Sequence, residues 1–310
     1  MLRRLARPAL AAATTACAVA VSVTSDKTAT RTTLASAASD KNSTPTTLAS
    51  AASDKNSAPA TLYASWFCPY AQRVWIALEE KEIHYNYVEI NPYEDGLLPG
   101  SFTKKALSIE TKRRRYPEFV AASPRGLVPA LVCGDEAGSA VCDSAVVLEF
   151  LEEQFPQSPA MLPGSPTERA HVRYWCVFAQ EKIIPFYYRM LMSRDEKGRE
   201  AAKNQIIAGL TTFAQACDPA GPYFMGEQFG TADLWLFPWY DRLLTVGAAY
   251  RGFEVPKTAE FARLDAWYSA VRARPAVAST LADREKLIEN YSGYSDNSAT
   301  SDAAVRFRGS

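Results

Sequence analysis

Residues 61–90 constrain the fold more tightly than any other stretch. "TLYASWF", Thr61 to Phe67, is an apolar and aromatic run of strand character. After Cys68 the spacing turns helical: Val74 and Leu78 lie four apart, Arg and Glu fill the other side, and Lys81 closes the segment. "HYNYVEI", His84 to Ile90, is a second strand. Two strands joined this closely through one helix make a βαβ unit with parallel strands.

Asn91–Arg115 interrupts the pattern with Pro, Gly and charge, and reads as an inserted loop with room for a short helix. Its basic run Lys112–Arg115 reads first as a solvated loop. Beyond it, "PALVC" is a short strand, "GDEAGS" a hairpin turn and "AVC" another strand. Ser144–Gln154 is a helix with Ser144 as its expected N-cap and Val147, Leu148 and Leu151 facing inward. From Thr167 to Tyr291 the periodicity is helical throughout, as in Phe261, Leu264, Tyr268 and Val271 on one face of Thr258–Val271. "TADLWLFPWYDRLL" is apolar almost all round, which predicts a buried central helix that Pro238 should bend. The expected fold class is therefore α/β plus all-α. A βαβ-ββα domain spans 61–157 with an insertion at 91–115, and an all-helical domain spans 165–291.

The termini read differently. Residues 1–60 begin with Arg3, Arg4 and Arg7, carry no acid before Asp26, and are rich in Ala, Thr and Ser. That composition predicts an organellar transit peptide, mitochondrial or plastid. A secretory signal over residues 9–23 is the rival, disfavoured by the cysteine pattern, and a cytoplasmic location is the alternative. "TTLASAASDKNS" then occurs twice, at Thr32–Ser43 and Thr46–Ser57, too poor in large apolar residues to bury a core; it reads as a disordered tether. The polar tail 292–310 reads the same way.

Composition excludes several functions. With 34 basic and 34 acidic residues, no global field draws the chain to nucleic acid or a membrane surface. The six cysteines have no C-x-x-C spacing, which argues against a disulfide scaffold or zinc site and for a reducing compartment. Two histidines, His84 and His171, supply a His-based metal site or a Ser-His-Asp triad poorly.

Cys68 stands where strand hands over to helix, with Pro69 suited to the first turn. Unpaired N–H groups and the positive end of the helix dipole favour a thiolate there. A small apolar filler is the bland alternative. Three features weigh against it. "CPYA" is a C-x-x-C motif whose second cysteine is Ala71, so a mixed disulfide at Cys68 must be released by an external thiol. A cis Val128–Pro129 bond would offer the Val128 backbone to a peptide-like ligand. Asp143–Ser144 opens a helix that suits a carboxylate, with Asp143 placed for an ammonium. Thiol chemistry, a peptide backbone, and adjacent carboxylate and ammonium groups together describe glutathione.

These residues resemble the glutathione transferases, and specifically the cysteine-type omega-like members. The resemblance runs through "WFCPYAQRVW", "PRGLVPAL" and "CDSAVVLEFLEEQFP", and through "GTADLWLFPWYDRL" in the helical half, covering roughly Thr61 to Leu287. It implies a thioredoxin-like domain on a helical bundle domain, a homodimer, glutathione as co-substrate, a small oxidised or electrophilic second substrate, and no metal, nucleic acid or membrane partner. It further implies thiol transfer on mixed disulfides or dehydroascorbate. The close variants are a glutathionyl-hydroquinone reductase and a conjugating transferase; the distant one is a non-catalytic glutathione- or ligand-binding module. Cys68 matches the thiol that takes up glutathione and Tyr70 the aromatic beside it. Val128 matches the residue pairing with the cysteinyl backbone, Pro129 the cis-proline, and Asp143 and Ser144 the γ-glutamyl holders. Two positions depart from the family pattern. Tyr116 stands where a glycyl-carboxylate lysine precedes Pro-Glu, leaving Arg115 or Arg114 as substitutes. Gly230 stands at a helix cap that is usually Ser or Thr, with Asp233 kept at N3 in a structural role. Tyr174, Trp175, Tyr187, Tyr188 and Trp239 are divided between core and an apolar co-substrate surface.

Overall fold

The computed structural model describes residues 59–95, 102–134 and 139–308. Apart from Pro59 and Ala60, the segment 1–60 with its targeting and tether expectations lies outside the described residues. Strand β1 (Ala60–Ala64) leads into helix α1 (Pro69–Glu80) and strand β2 (Tyr85–Glu89). β1 and β2 pair in parallel, from Ala60 opposite Tyr85 to Ala64 opposite Glu89. α1 starts because Cys68 is extended and Pro69 takes the first helical position. It buries Val74, Ile76, Ala77 and Leu78, the apolar side that the spacing predicts.

The insertion is more ordered than its composition suggests. Its residues form a hairpin, β3 (Tyr93–Asp95) against β4 (Phe102–Ala106), and then helix α2 (Ile109–Arg115). Ser108 caps α2 by accepting from the Thr111 N–H at 3.2 Å. The short helix that the sequence allowed is α2; the loop reading failed for the hairpin, which is bonded to a distant partner, the C-terminal tail. Helix α3 (Pro117–Ala122) follows, then the antiparallel strands β5 (Ala130–Val132) and β6 (Ala140–Cys142), then helix α4 (Ser144–Gln154). The sheet order is β2-β1-β5-β6. At α4 the N-cap is Asp143, not Ser144: its carboxylate accepts from the Ala145 N–H at 2.9 Å, and Ser144 is the first helical residue.

The second half is helical: α5 (Pro166–Lys182), α6 (Ile184–Met192), α7 (Glu196–Ala216) and α8 (Thr231–Arg242). α8 runs through Pro238 and passes into a π-helical turn, Leu243–Gly247. Short α9 (Ala248–Arg251), α10 (Ala259–Ala273), α11 (Pro275–Ala278) and α12 (Arg284–Asn290) complete the bundle. α8 is buried on nearly every side, as its sequence predicts. Gly230 at its cap is forced by contact, since a Cβ there would lie 2.7 Å from the Met161 carbonyl oxygen. Among the described residues, no helix is long and apolar enough to cross a membrane.

The tail corrects the expectation of disorder over 292–310. α13 (Ser292–Ser295) and α14 (Asp302–Arg308) form, and Tyr294, Ala299, Ala304 and Phe307 are buried. Phe307 stacks on Tyr188 at 5.2 Å, and the Tyr294 hydroxyl meets the Ser301 hydroxyl at 2.6 Å. A few aromatic anchors in a polar stretch suffice when their sockets lie elsewhere in the fold. Thr300 binds the insertion hairpin: its N–H donates to the Lys104 carbonyl at 2.9 Å, and its hydroxyl accepts from the Ala106 N–H at 2.9 Å.

Asp233 holds the centre of the bundle. Its carboxylate accepts from the Phe224 N–H (2.8 Å), the Gly230 N–H (2.8 Å) and the Trp267 indole (2.7 Å). Burial pushes its pKa up to about 6 against these donors. Asp233→Ala strands three buried donors, so urea unfolding should show a loss of roughly 3 kcal/mol or more. A loss under ~1 kcal/mol would contradict this role.

Candidate active site

One cross-sheet row assembles the site. Tyr63 on β1 lies opposite Ala130 on β5, and Ala130 lies opposite Cys142 on β6. β1 leaves this row toward Cys68, β5 enters it from Val128–Pro129, and β6 leaves it toward Asp143–Ser144. Because both pairings are antiparallel, the three segments emerge at the same end of the sheet. The Val128–Pro129 peptide is cis. Cys68, Val128, Pro129, Asp143 and Ser144 therefore share one edge, and Tyr70 joins them from the first turn of α1.

Cys68 is half-buried. The N–H groups of Ala71 and Tyr70 face its sulfur without forming a cap hydrogen bond. Burial pushes the thiol pKa up; those two N–H groups and the charges of Arg242 and Lys104 pull it down without reversing the shift. The helix-start position alone predicts a depressed pKa, and this is corrected by the depth of the cleft. Tyr70 packs edge-on against Trp239 at 4.6 Å.

Two family models match the chain: "Glutathione S-transferase, N-terminal domain" over residues 67–154 and "Glutathione S-transferase, C-terminal domain" over residues 196–270. A probable glutathione S-transferase of Nicotiana tabacum is 30% identical over 227 residues, covering 72% of this chain and 90% of its own length. The chain belongs to the glutathione S-transferase family. Glutathione transferase Omega 3C from Trametes versicolor aligns with a TM-score of 0.63 and 33% identity, over 79% of this chain and 93% of its own. The Tau class transferase of mango, Mangifera indica, shares the fold at a TM-score of 0.60 and 24% identity, over 74% of this chain and 96% of its own. The thioredoxin-like domain followed by a helical domain is the architecture of this family.

Two buried guanidiniums hold the transferase's cysteine loop. Arg242 on α8 donates to the Phe67 carbonyl (3.1 Å), the Gln72 side chain (2.8 Å), the Pro238 carbonyl (2.7 Å) and the Tyr291 hydroxyl (3.1 Å). Tyr291 itself donates to the Phe67 carbonyl at 3.3 Å. Arg73 on α1 donates to the Trp235 carbonyl at 3.0 Å and to the Ser144 hydroxyl at 3.4 Å. Its guanidinium stacks over Trp235 at 3.9 Å and Trp239 at 4.3 Å, and burial pulls its pKa down to about 10. Ser144 is thus reached by a cation that sequence reasoning missed. Both arginines had one signal, a charge inside an otherwise apolar helix.

Arg115 closes helix α2. It pairs with Asp95 of the hairpin at 3.4 Å and is 40% exposed. Arg114 donates to the Thr111 hydroxyl at 3.4 Å. The inward member of the basic run is Lys112, whose ammonium donates to the Gly126 carbonyl at 3.0 Å, two residues before Val128. Tyr116 accepts from the Asn91 N–H at 3.3 Å. Among the candidate co-substrate aromatics, Tyr187, Tyr188 and Trp239 are core, Trp175 is half-buried, and Tyr174 is 59% exposed. Among the described residues no His/Cys/Asp/Glu group is arranged to hold a metal.

Arg242→Met removes one of the two donors on the Phe67 carbonyl and leaves the Gln72 side-chain oxygen without its arginine. The expected loss is roughly 3 kcal/mol in denaturant unfolding. Arg242→Lys should recover little of it, because a single ammonium cannot reproduce the fork. Full stability in the lysine variant would show that charge alone suffices.

Proposed function

We propose that this transferase is an omega-like, glutathione-dependent thiol transferase acting on mixed disulfides or dehydroascorbate through Cys68. The observation that carries the reading is Cys68 at the start of α1, with Ala71 in the resolving position, on the same sheet edge as the cis Val128–Pro129 and Asp143–Ser144. The 33% identity to the fungal Omega 3C transferase supports it. In this mechanism the Cys68 thiolate attacks the glutathionyl sulfur of a mixed disulfide and forms a Cys68–glutathione disulfide. The substrate's own thiolate leaves and takes a proton from water. A second glutathione thiolate then attacks this disulfide, giving oxidised glutathione and the free Cys68 thiolate. Val128 holds the cysteinyl backbone, Asp143 and Ser144 the γ-glutamyl end, and Tyr70 lies against the bound thiol.

A second reading, glutathione conjugation, is favoured by the plant transferases among the relatives, such as those of rice and Arabidopsis thaliana. A panel pairing glutathione with hydroxyethyl disulfide, dehydroascorbate, a quinone and an aryl halide separates the readings.

Cys68→Ser should abolish disulfide reduction, since a serine hydroxyl stays protonated near neutrality. Mass spectrometry after oxidised glutathione treatment should place one adduct on Cys68 in preference to Cys133, Cys142, Cys176 or Cys217. Because the Cys68 pKa is raised, the thiolate fraction and the rate should climb as pH increases from neutral into the alkaline range. Full activity in Cys68→Ser, or a rate already flat at acidic pH, overturns the mechanism.

Arg115 or Arg114 is proposed to meet the glycyl carboxylate in place of the missing lysine. Neutralising the right one should raise the KM for glutathione by about tenfold. An unchanged KM in the double variant leaves the run as a solvated helix face.

A further inference from the structure

The insertion hairpin carries a buried cation into the cysteine's surroundings. Lys104 on β4 is 2% exposed. Its ammonium lies 3.7 Å from the ring centre of Phe67, the residue before Cys68, and 4.8 Å from that of Tyr93 on β3. The tail closes the other side with Tyr291 at 4.9 Å and Tyr294 at 5.9 Å. Gly293 lets the tail approach: a Cβ there would lie 3.1 Å from the Lys104 Cβ. Ring faces stabilise an ammonium, and stabilise it more when water is excluded.

We propose that Lys104 is the positioned cation that balances the Cys68 thiolate, delivered by the insertion hairpin and held by the C-terminal tail. Its part in glutathione transfer rests on the Cys68 reading above. The charge balance between the two groups does not.

The surrounding groups leave this role to Lys104. Among the described residues, Arg242 and Lys104 are cations whose charges act on the sulfur. Arg242 has its donors fixed on the Phe67 and Pro238 carbonyls, Gln72 and Tyr291, with Asp241 close by. Its charge is constant. Among the described residues, phenols that feel the Cys68 charge are Tyr70, Tyr87, Tyr93, Tyr291 and Tyr294. Burial pushes all five upward, so they are neutral near pH 7. Glu89 on β2 accepts from Tyr87 at 2.8 Å and from the Trp66 N–H, and burial pushes it up to about 7. Lys104 is the other cation: burial pulls its pKa well below the ordinary lysine range, and the Cys68 charge works against that fall. Burial thus disfavours each charge alone, and each lessens the other's penalty. In the transfer step the ammonium keeps its proton and the sulfur carries the negative charge into attack. Sulfur–sulfur exchange proceeds as above with no change at Lys104.

The test uses the full-length protein and iodoacetamide, with the Cys68 peptide quantified by mass spectrometry across pH. Lys104→Met keeps the apolar stem among the rings and removes the charge. It should move the alkylation midpoint up by about one pH unit or more, while Lys104→Arg stays near wild type. An unchanged or lower midpoint in Lys104→Met overturns the proposal. Should that variant fail to fold, the reciprocal arm decides. With 13C-lysine labelling, the Lys104 ammonium should titrate at lower pH in Cys68→Ala than in wild type, and an unchanged Lys104 titration overturns the pairing. Shifted midpoints in a protein without disulfide reductase activity would support the pairing and sink the transfer reading. Unshifted midpoints in an active enzyme would do the reverse.

Discussion

The grip on one carbonyl organises this molecule. The Phe67 carbonyl is the last main-chain acceptor before Cys68, and it takes hydrogen bonds from Arg242 of the helical half and from Tyr291 at the base of the tail. The Cys68 loop is thus positioned by residues far along the chain, at sequence separations of 175 and 224. Arg242 also reaches Gln72, which donates onward to Thr280, so the first turn of α1 is tied to the segment after α11. Arg274 adds a two-pronged bond to Glu80 at the far end of α1, at 2.5 and 2.6 Å. α1 is fastened to the second domain at both ends, with Cys68 at its N-terminal end.

α8 is the counterpart of this arrangement. Its apolar surface pays the desolvation of three charged side chains, Asp233, Asp241 and Arg242, all buried. Each is satisfied by specific partners: Asp233 by two N–H groups and an indole, Asp241 by the Tyr268 hydroxyl at 2.8 Å, Arg242 by carbonyls and side-chain oxygens. Removing any one partner leaves an uncompensated buried group, so the helix tolerates polar residues only as a complete set.

Much of this was legible beforehand. The βαβ-ββα order followed from the strand runs and the spacing of Val74 and Leu78, and α8 from its apolar circumference. The shared site edge followed from Cys68, Val128–Pro129 and Asp143–Ser144, because sheet pairing brings together what local patterns only place in order. What was not legible depends on distant partners. Lys104 looks like any loop lysine until Tyr291 and Tyr294 close over it. Thr300 and Phe307 look like tail residues until β4 and Tyr188 supply their sockets. The cap at α4 passed from Ser144 to Asp143 through a single left-handed residue, Asp143 at φ 77°, which no periodicity marks.

The thiol's raised pKa follows from its burial. Desolvation is the largest effect on Cys68, ahead of the Ala71 and Tyr70 N–H groups and the charges of Arg242 and Lys104. Helix-start donors work in the opposite direction, and at a shallower site they would prevail. Depth therefore exchanges resting ionisation for stronger local electrostatics. At a half-buried sulfur, each N–H group and cation acts with less screening than it would in open water. The charges that stabilise the thiolate must then come from the protein itself, and the chain places them on elements outside the βαβ unit: Arg242 on the helical domain and Lys104 on the insertion. Through Lys104, an insertion that reads as a loop in the sequence is thereby drawn into the electrostatics of Cys68.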